Sequence, residues 1–222
     1  MSLGEPREHH ETIGSTNERA RELAEEGAAH GTLVTAGEQT AGRGRQGRSW
    51  ATPPGVAIAA SLILRDFDEL LPLRAGLAVA DVAGPSALVK WPNDVWVDGR
   101  KVAGILVEAR EWAVLGIGVN VAVDVSVLPA DAAAVAGTLG RDESEVELTL
   151  AELLSALEAR LSEEKPATLT ALRERDALLG KPVRWDGGEG VGAGIDDAGA
   201  LLVYLPDGTT TALSAGEVTL TS

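Results

Sequence analysis

The apolar positions of this chain fall into short blocks separated by glycine-bearing turns. Val56 to Leu64 is apolar almost throughout, which suits a strand buried on both faces. Thr32 to Ala36 reads as a strand before it and Ala87 to Lys90 as a short strand after it. Leu70 to Val82, between those two, has the spacing of a helix. Asp98-Gly99 is a two-residue hairpin turn joining Val95-Trp96-Val97 to the run Val102 to Val107, and a second hairpin returns through Trp112 to Val121. Nearer the start, Ser15-Thr16-Asn17-Glu18 has the form of a capping box with Ser15 as N-cap. The helix it opens runs to about Glu26, with Gly27 as its C′ stop.

The second half changes rhythm. Helical segments rich in Ala and acidic residues are predicted at about Leu148 to Leu161 and Leu169 to Leu179. From Lys181 the pattern turns to short strands: Val183-Arg184-Trp185, Val191 to Ile195, Leu201 to Leu205 and Thr210 to Leu213. Asp186-Gly187-Gly188 and Pro206-Asp207-Gly208 are the turns between them. This reads as a region 1–179 followed by a small β-barrel-like module, 180–222.

Composition narrows the function classes. The 222 residues carry a formal net charge of -15, which argues against nucleic acid as a main partner. Cysteine is absent, so disulfides, thiol catalysis and Cys-ligated metals are excluded. The N-terminus lacks a signal pattern and the longest apolar run is strand length, so a cytoplasmic protein with no membrane partner is expected. Only four of the nineteen basic residues are Lys, a bias that fits either a GC-rich coding sequence or a salt-adapted surface.

Against that acidic background, Thr40 to Arg65 contains no acidic residue. Within it lies Gly42-Arg43-Gly44-Arg45-Gln46-Gly47-Arg48-Ser49-Trp50, three arginines spaced by glycines and closed by an indole. Glycines let backbone approach a ligand, and Arg offers forked donors to carboxylate or phosphate, so a small anion is the expected guest. The stretch Gln39 to Pro54 is also long for a plain connection. Other readings of the loop are a solvated basic segment or an RGG-like nucleic-acid segment, but Trp50 offers a face on which an adenine can stack. Lys90-Trp91-Pro92-Asn93-Asp94 ends a strand in turn chemistry that leaves Lys90 and Trp91 unexplained. Lys101 begins the second hairpin strand, where its ammonium can reach across the sheet face. Gly104, Gly116 and Gly118 interrupt apolar strands, as glycines do where a ligand comes close, and Asn120 is a polar group there that wants a partner. His9, His10 and His30 form no metal triad and read as structural or surface residues.

Taken in order, Ser15-Thr16-Asn17, Gln39 with the Arg/Gly loop to Trp50, Lys90 to Asp94, Arg100 to Glu108 and Gly116 to Asn120 resemble the biotin–protein ligases. The resemblance covers about residues 8 to 222. It implies an α/β (α+β) fold: a mixed-sheet catalytic domain of the class II synthetase-like type, helices on one side, and a C-terminal SH3-like barrel. It implies ATP-dependent ligation of biotin to a lysine of a biotin carboxyl carrier protein, through biotinyl-5′-AMP, with Mg2+ accompanying ATP. Lys101 and Arg45 are then the catalytic candidates. Ser15, Thr16, Asn17, Gln39, Arg43, Gly44, Arg45, Lys101, Gly104, Gly116 and Gly118 would hold biotin; Arg43, Arg48, Trp50, Asn93 and Asn120 would hold ATP or AMP. Lys90 and Asp94 would anchor the loop arginines. No resident metal is expected. Family members that repress biotin genes carry an N-terminal winged helix-turn-helix. Here the first motif begins at Ser15, which implies the single-function type. A homodimer through a sheet edge is among the arrangements implied, and no residue settles it. The alternatives are a lipoate or octanoyl transferase of the same fold, whose relatives lack this loop, and a non-catalytic biotin or nucleotide sensor.

Overall fold

The apolar run predicted at Val56 to Leu64 becomes the strand on which the rest is built. A computed structural model describes residues 3–221. In chain order its first half comprises β1 (Arg7–Ile13), α1 (Thr16–Glu25), β2 (Leu33–Gln39), β3 (Ala57–Leu64), α2 (Leu71–Ala83), β4 (Leu88–Lys90), β5 (Asp94–Val97), β6 (Arg100–Ala109) and β7 (Ala113–Asn120). These seven strands form one sheet in the order β1-β2-β3-β7-β6-β5-β4. β1 and β2 run parallel and every other pair is antiparallel, so the sheet is mixed. All eight residues of β3 are buried, because both its faces are covered. Ile58, Ala60, Leu62 and Leu64 join the main core with α2, while Ile63 packs with Ala20 and Ala24 of α1 and with Val34 and Val114. Truncating Leu62 or Ile63 to Ala would cost about 2–5 kcal/mol. The helices therefore do not all lie on one side: α1 covers part of the face opposite α2. The predicted Asp98-Gly99 turn joins β5 to β6, both residues having positive φ (50° and 75°) as a type I′ turn requires.

The second half holds α3 (Ala130–Ala133), α4 (Val146–Ser162), α5 (Lys165–Glu174), β8 (Pro182–Trp185), β9 (Gly188–Ile195), β10 (Leu201–Tyr204), β11 (Thr210–Leu213) and β12 (Thr219–Leu220). The predicted helix Leu169 to Leu179 is displaced: α5 starts four residues earlier, with Pro166 in its first turn, and ends five residues earlier. It stops because the chain beyond it turns to pair with β4, where Val89 N–H donates to the Arg175 carbonyl and Ala177 N–H to that of Val89. The last five strands form an antiparallel sheet, β11-β10-β9-β8-β12, of SH3-like kind. Strand β12, only two residues long, was not expected from the pattern. Val183, Ile195, Leu201, Val203 and Val218 belong to the same buried cluster as Leu71, Leu172 and Leu178, so one continuous core joins the two sheets. No helix is long and apolar enough to cross a membrane among the described residues.

Candidate active site

Where β6 and β7 lie side by side, Gly104 pairs with Gly118 and Leu106 with Gly116. The missing side chains leave a trough beside the N-terminus of α1, and the protein's own groups reach into it. A Cβ at position 116 would overlap the amide oxygen of Asn17, and one at 118 would overlap the Trp50 indole. These two positions need glycine for close approach rather than for backbone freedom.

The polar end of the trough is built on the first turn of α1. Ser15, Thr16 and Asn17 are all buried. The predicted capping box does not form, since the Ser15 side chain makes no bond to the helix N-terminus. Gln39, at the end of β2, instead reaches the first turn from outside: its Oε1 accepts from Thr16 N, the first helical amide, at 2.8 Å. Thr16 Oγ1 lies 3.0 Å from the same oxygen, and Gln39 Nε2 donates to Thr52 Oγ1 at 3.1 Å. Ser61 of β3, fully buried, stands 2.8 Å from Thr16 Oγ1 and 2.6 Å from Asn17 Oδ1. Asn17 Nδ2 donates to Glu108 Oε2 at 2.9 Å. Ser15, Thr16, Asn17 and Gln39 all line one pocket with Gly104, Gly116, Gly118 and Lys101, leaving about 110 Å³ of free space.

The Arg/Gly loop closes over that pocket as a folded flap. Gln39 bridges Thr52, Arg43 bridges Ser49, and Trp50 N–H donates to the Gly42 carbonyl at 2.9 Å. Each arginine meets an oxygen of the protein. Arg43 donates to Glu18 at 3.3 Å; Arg45 donates to Asn93 Oδ1 at 3.1 Å and to the Gly216 carbonyl at 3.0 Å; Arg48 pairs with Glu217. Burial pushes the Arg45 guanidinium below its ordinary pKa, and the positive charge of Arg48 adds to this. Trp50 lies against Gly104 and Gly118 with its Nε1 buried and without a partner, and the Lys101 ammonium sits 5.5 Å from its ring centroid.

Lys101 is held on both sides: Lys101 N–H donates to the Val135 carbonyl and Gly137 N–H to the Lys101 carbonyl, both at 2.8 Å. Its ammonium is 2.7 Å from Asp94 Oδ1, at an angle that makes an ion pair and leaves that oxygen without an aligned hydrogen bond. Lys90 and Asp94 thus depart from their expected task. Asp94 pairs with Lys101 rather than with a loop arginine. Lys90 donates to the Val218 carbonyl at 2.7 Å and lies 5.6 Å from the Trp96 ring. β4 and β5 converge at Lys90↔Asp94, which aims Asp94 at β6 and leaves Lys90 facing the C-terminal sheet. Burial holds the Lys90 ammonium below the usual lysine range. Five cations, Lys90, Lys101, Arg43, Arg45 and Arg48, therefore line one pocket with Asp94 and Glu217, a preformed electropositive site in an acidic protein.

A second groove opens beyond Trp50 and Lys101, lined also by Asn120, Leu128, Asp131 and Val135, with a volume of about 580 Å³. Asn120 is buried and its amide donates to the Gly137 carbonyl at 2.9 Å. Asn93 is equally engaged: its Oδ1 accepts from Arg45 and its Nδ2 donates to the Ile105 carbonyl. Gly44 closes the neck of the flap, its N–H donating to the Arg48 carbonyl at 2.7 Å. Among the described residues no group of His, Asp or Glu is placed to hold a metal ion. Sequence reasoning passed over Ser61, Glu108, Gly216 and Glu217. The first had a signal, being the lone hydroxyl in the apolar run Val56 to Leu64. The C-terminal pair had none, because only folding brings residues 216 and 217 to the flap.

A mixed sheet with a capped α1, a glycine trough and a basic flap defines a class of acyl-activating ligases, and the chain belongs to the biotin/lipoate A/B protein ligase family, whose model matches residues 10–124. It is similar to the biotin–[acetyl-CoA-carboxylase] ligase of Mycobacterium tuberculosis, 36% identical over 92% of this chain and 85% of that protein. It is also similar to the Paracoccus denitrificans protein of the same name, 37% identical over 87% of this chain and 92% of that one. Among solved structures, the Aquifex aeolicus biotin protein ligase in complex with biotin and ATP superposes with a TM-score of 0.81 at 28% identity, covering 98% and 99% of the two chains.

Proposed function

We propose that this protein joins biotin to a lysine of a biotin carboxyl carrier protein at the expense of ATP. Biotin carboxylate attacks the α-phosphate of MgATP, forming biotinyl-5′-AMP and releasing pyrophosphate. The acceptor lysine amine then attacks the acyl carbon of the mixed anhydride, and AMP leaves with the bonding electron pair. The observation that carries this reading is a single pocket holding Lys101, the three loop arginines and the Ser15–Asn17/Gln39 polar cluster. Two anions must meet in the first step, and cations fixed before the reaction lower the cost of that approach.

In this assignment Ser15, Thr16, Asn17 and Gln39 bind the polar ring of biotin, while Gly104, Gly116 and Gly118 form its channel. Lys101 balances charge between the carboxylate and the α-phosphate; its ion pair with Asp94, imperfectly aligned, leaves the ammonium ready for a better acceptor. Arg43, Arg45 and Arg48 exchange the oxygens they now hold for those of the ligand. The groove beyond Trp50 takes the adenosine, with Trp50 as its wall and Asn120 holding the backbone beside it, while Asn93 holds Arg45 over the adjoining pocket. Mg2+ enters with ATP as part of the substrate. Residues 180–222 act as a module whose segment 216–218 braces the flap and Lys90. The protein works in the cytoplasm, where ATP and carboxylases are found, with no nucleic-acid partner.

The test is incubation with ATP, biotin and a carrier domain, followed by a streptavidin blot. Biotin label on the carrier, dependent on ATP, supports the reading. Octanoyl or lipoyl transfer instead would place the chain in the other branch of its family, and binding without transfer would make it a sensor.

A further inference from the structure

The hydrogen bonds at the polar end of the pocket do not balance, and the imbalance is set by a residue outside the pocket lining. Glu108, as a carboxylate, only accepts, so Asn17 must turn its Nδ2 toward it, as the 2.9 Å contact shows. That orientation points Asn17 Oδ1, an acceptor, at Ser61 Oγ 2.6 Å away. At the other end the Thr16 backbone N–H, a fixed donor 2.8 Å from Gln39 Oε1, holds the Gln39 carbonyl oxygen in place. Between these two fixed acceptors stand only two hydroxyls, Ser61 and Thr16.

Three oxygen–oxygen contacts link the four groups: Asn17 to Ser61 at 2.6 Å, Ser61 to Thr16 at 2.8 Å and Thr16 to Gln39 at 3.0 Å. Two hydroxyl hydrogens cannot fill three contacts. The cluster is one hydrogen short, its Thr16, Asn17 and Ser61 are buried, and Thr16 lines the pocket. We infer that Glu108 and Ser61 are positioning residues that set the site to require a ligand N–H donor at Thr16 Oγ1, and so fix specificity for a cyclic urea. This rests on the biotin reading above. Neither residue touches the ligand in this scheme: Glu108 acts through Asn17, and Ser61 relays the resulting polarity to Thr16.

Glu108→Gln tests it. A glutamine amide at position 108 can donate, so Asn17 can reverse and offer its own N–H to Ser61. The missing hydrogen then comes from the protein. Calorimetric titration compares biotin with a cyclic-carbamate analogue in which one ureido N–H is replaced by a ring oxygen. The parent should prefer biotin by on the order of a hundredfold or more, since a site left with unpaired buried groups rejects the analogue strongly. E108Q should bind biotin about tenfold less tightly and cut the preference to about tenfold or below, with the KM for ATP unchanged. The double variant E108Q/N17D restores an acceptor facing Ser61 and should recover the preference, which general damage to the site could not do. Parental discrimination in E108Q, or no recovery in the double variant, overturns the inference. If E108Q does not fold, Ser61→Ala decides, because it leaves one hydroxyl hydrogen for the one remaining contact, Thr16 to Gln39. It should lower the preference likewise, and parental discrimination in it would overturn the inference. Failure of the parent to bind biotin at all would instead sink the function on which the inference stands.

Discussion

Removing the Lys101 ammonium should separate chemistry from stability, because the structure ties this side chain to Asp94. The two charged groups are 2.7 Å apart, with side chains only 23% and 15% exposed. An exposed pair would contribute about 0–1 kcal/mol and a fully buried one, broken on one side, would cost about 3–5 kcal/mol. Lys101→Ala should therefore lower stability by about 2 kcal/mol, since it leaves Asp94 half-buried without its counter-ion. The fold should persist, as the Lys101 backbone is held by Val135 and Gly137 irrespective of the side chain. On the rate, loss of one preorganised charge-stabilising group costs about 2.7–4 kcal/mol of barrier, or about two to three powers of ten. Lys101→Ala/Asp94→Asn removes both charges and should regain most of the stability while regaining none of the rate. Biotin-dependent pyrophosphate release and urea unfolding measure the two effects. Release by Lys101→Ala within about threefold of the parent would refute the charge-balancing role. Recovery of the rate in the double variant would refute it equally, by tracing the loss to a stranded Asp94.

Arg45→Gly cuts the two contacts that tie the flap to Asn93 and Gly216, so the intermediate should escape faster while adenylation persists at a lower rate. Streptavidin labelling of serum albumin, normalised to pyrophosphate, checks this; equal labelling by variant and parent would remove the retaining role. Protease cleavage within Gln39 to Pro54 should slow when biotin or biotinyl-AMP is added, because the flap arginines then gain anionic oxygens in place of carbonyl and surface carboxylate partners. Equal cleavage with and without ligand would count against that ordering. The net charge of -15 predicts no shifted band with a biotin-operon promoter fragment at physiological salt, and a specific shift would overturn that expectation.

Much of the architecture was legible in local pattern. The eight-residue run at β3, the Asp98-Gly99 turn and the strands after Lys181 each carry their own signal, because alternation, turn φ values and apolar density are short-range properties. The Arg/Gly loop and Lys101 were visible as chemistry for the same reason: a charge pattern at odds with the whole chain needs no fold to be noticed. Boundaries set by distant partners were not. α5 ends where the chain pairs with Val89, and the first amide of α1 takes its partner from Gln39, twenty-four positions beyond Ser15.

The tertiary structure alone decided who meets whom at the site. Asp94 could have served a loop arginine on sequence evidence, but the converging pair β4–β5 sets it beside Lys101, while Glu217 reaches Arg48 from the far end of the chain. The glycines at 116 and 118 read as ligand clearance, and folding shows that Asn17 and Trp50 already use the space. Sequence determined which residue types were available and the local form of each segment. Hydrogen-bond polarity and ion pairing depend on contacts a few ångströms long between residues up to 171 positions apart, and only the packed chain brings those into reach.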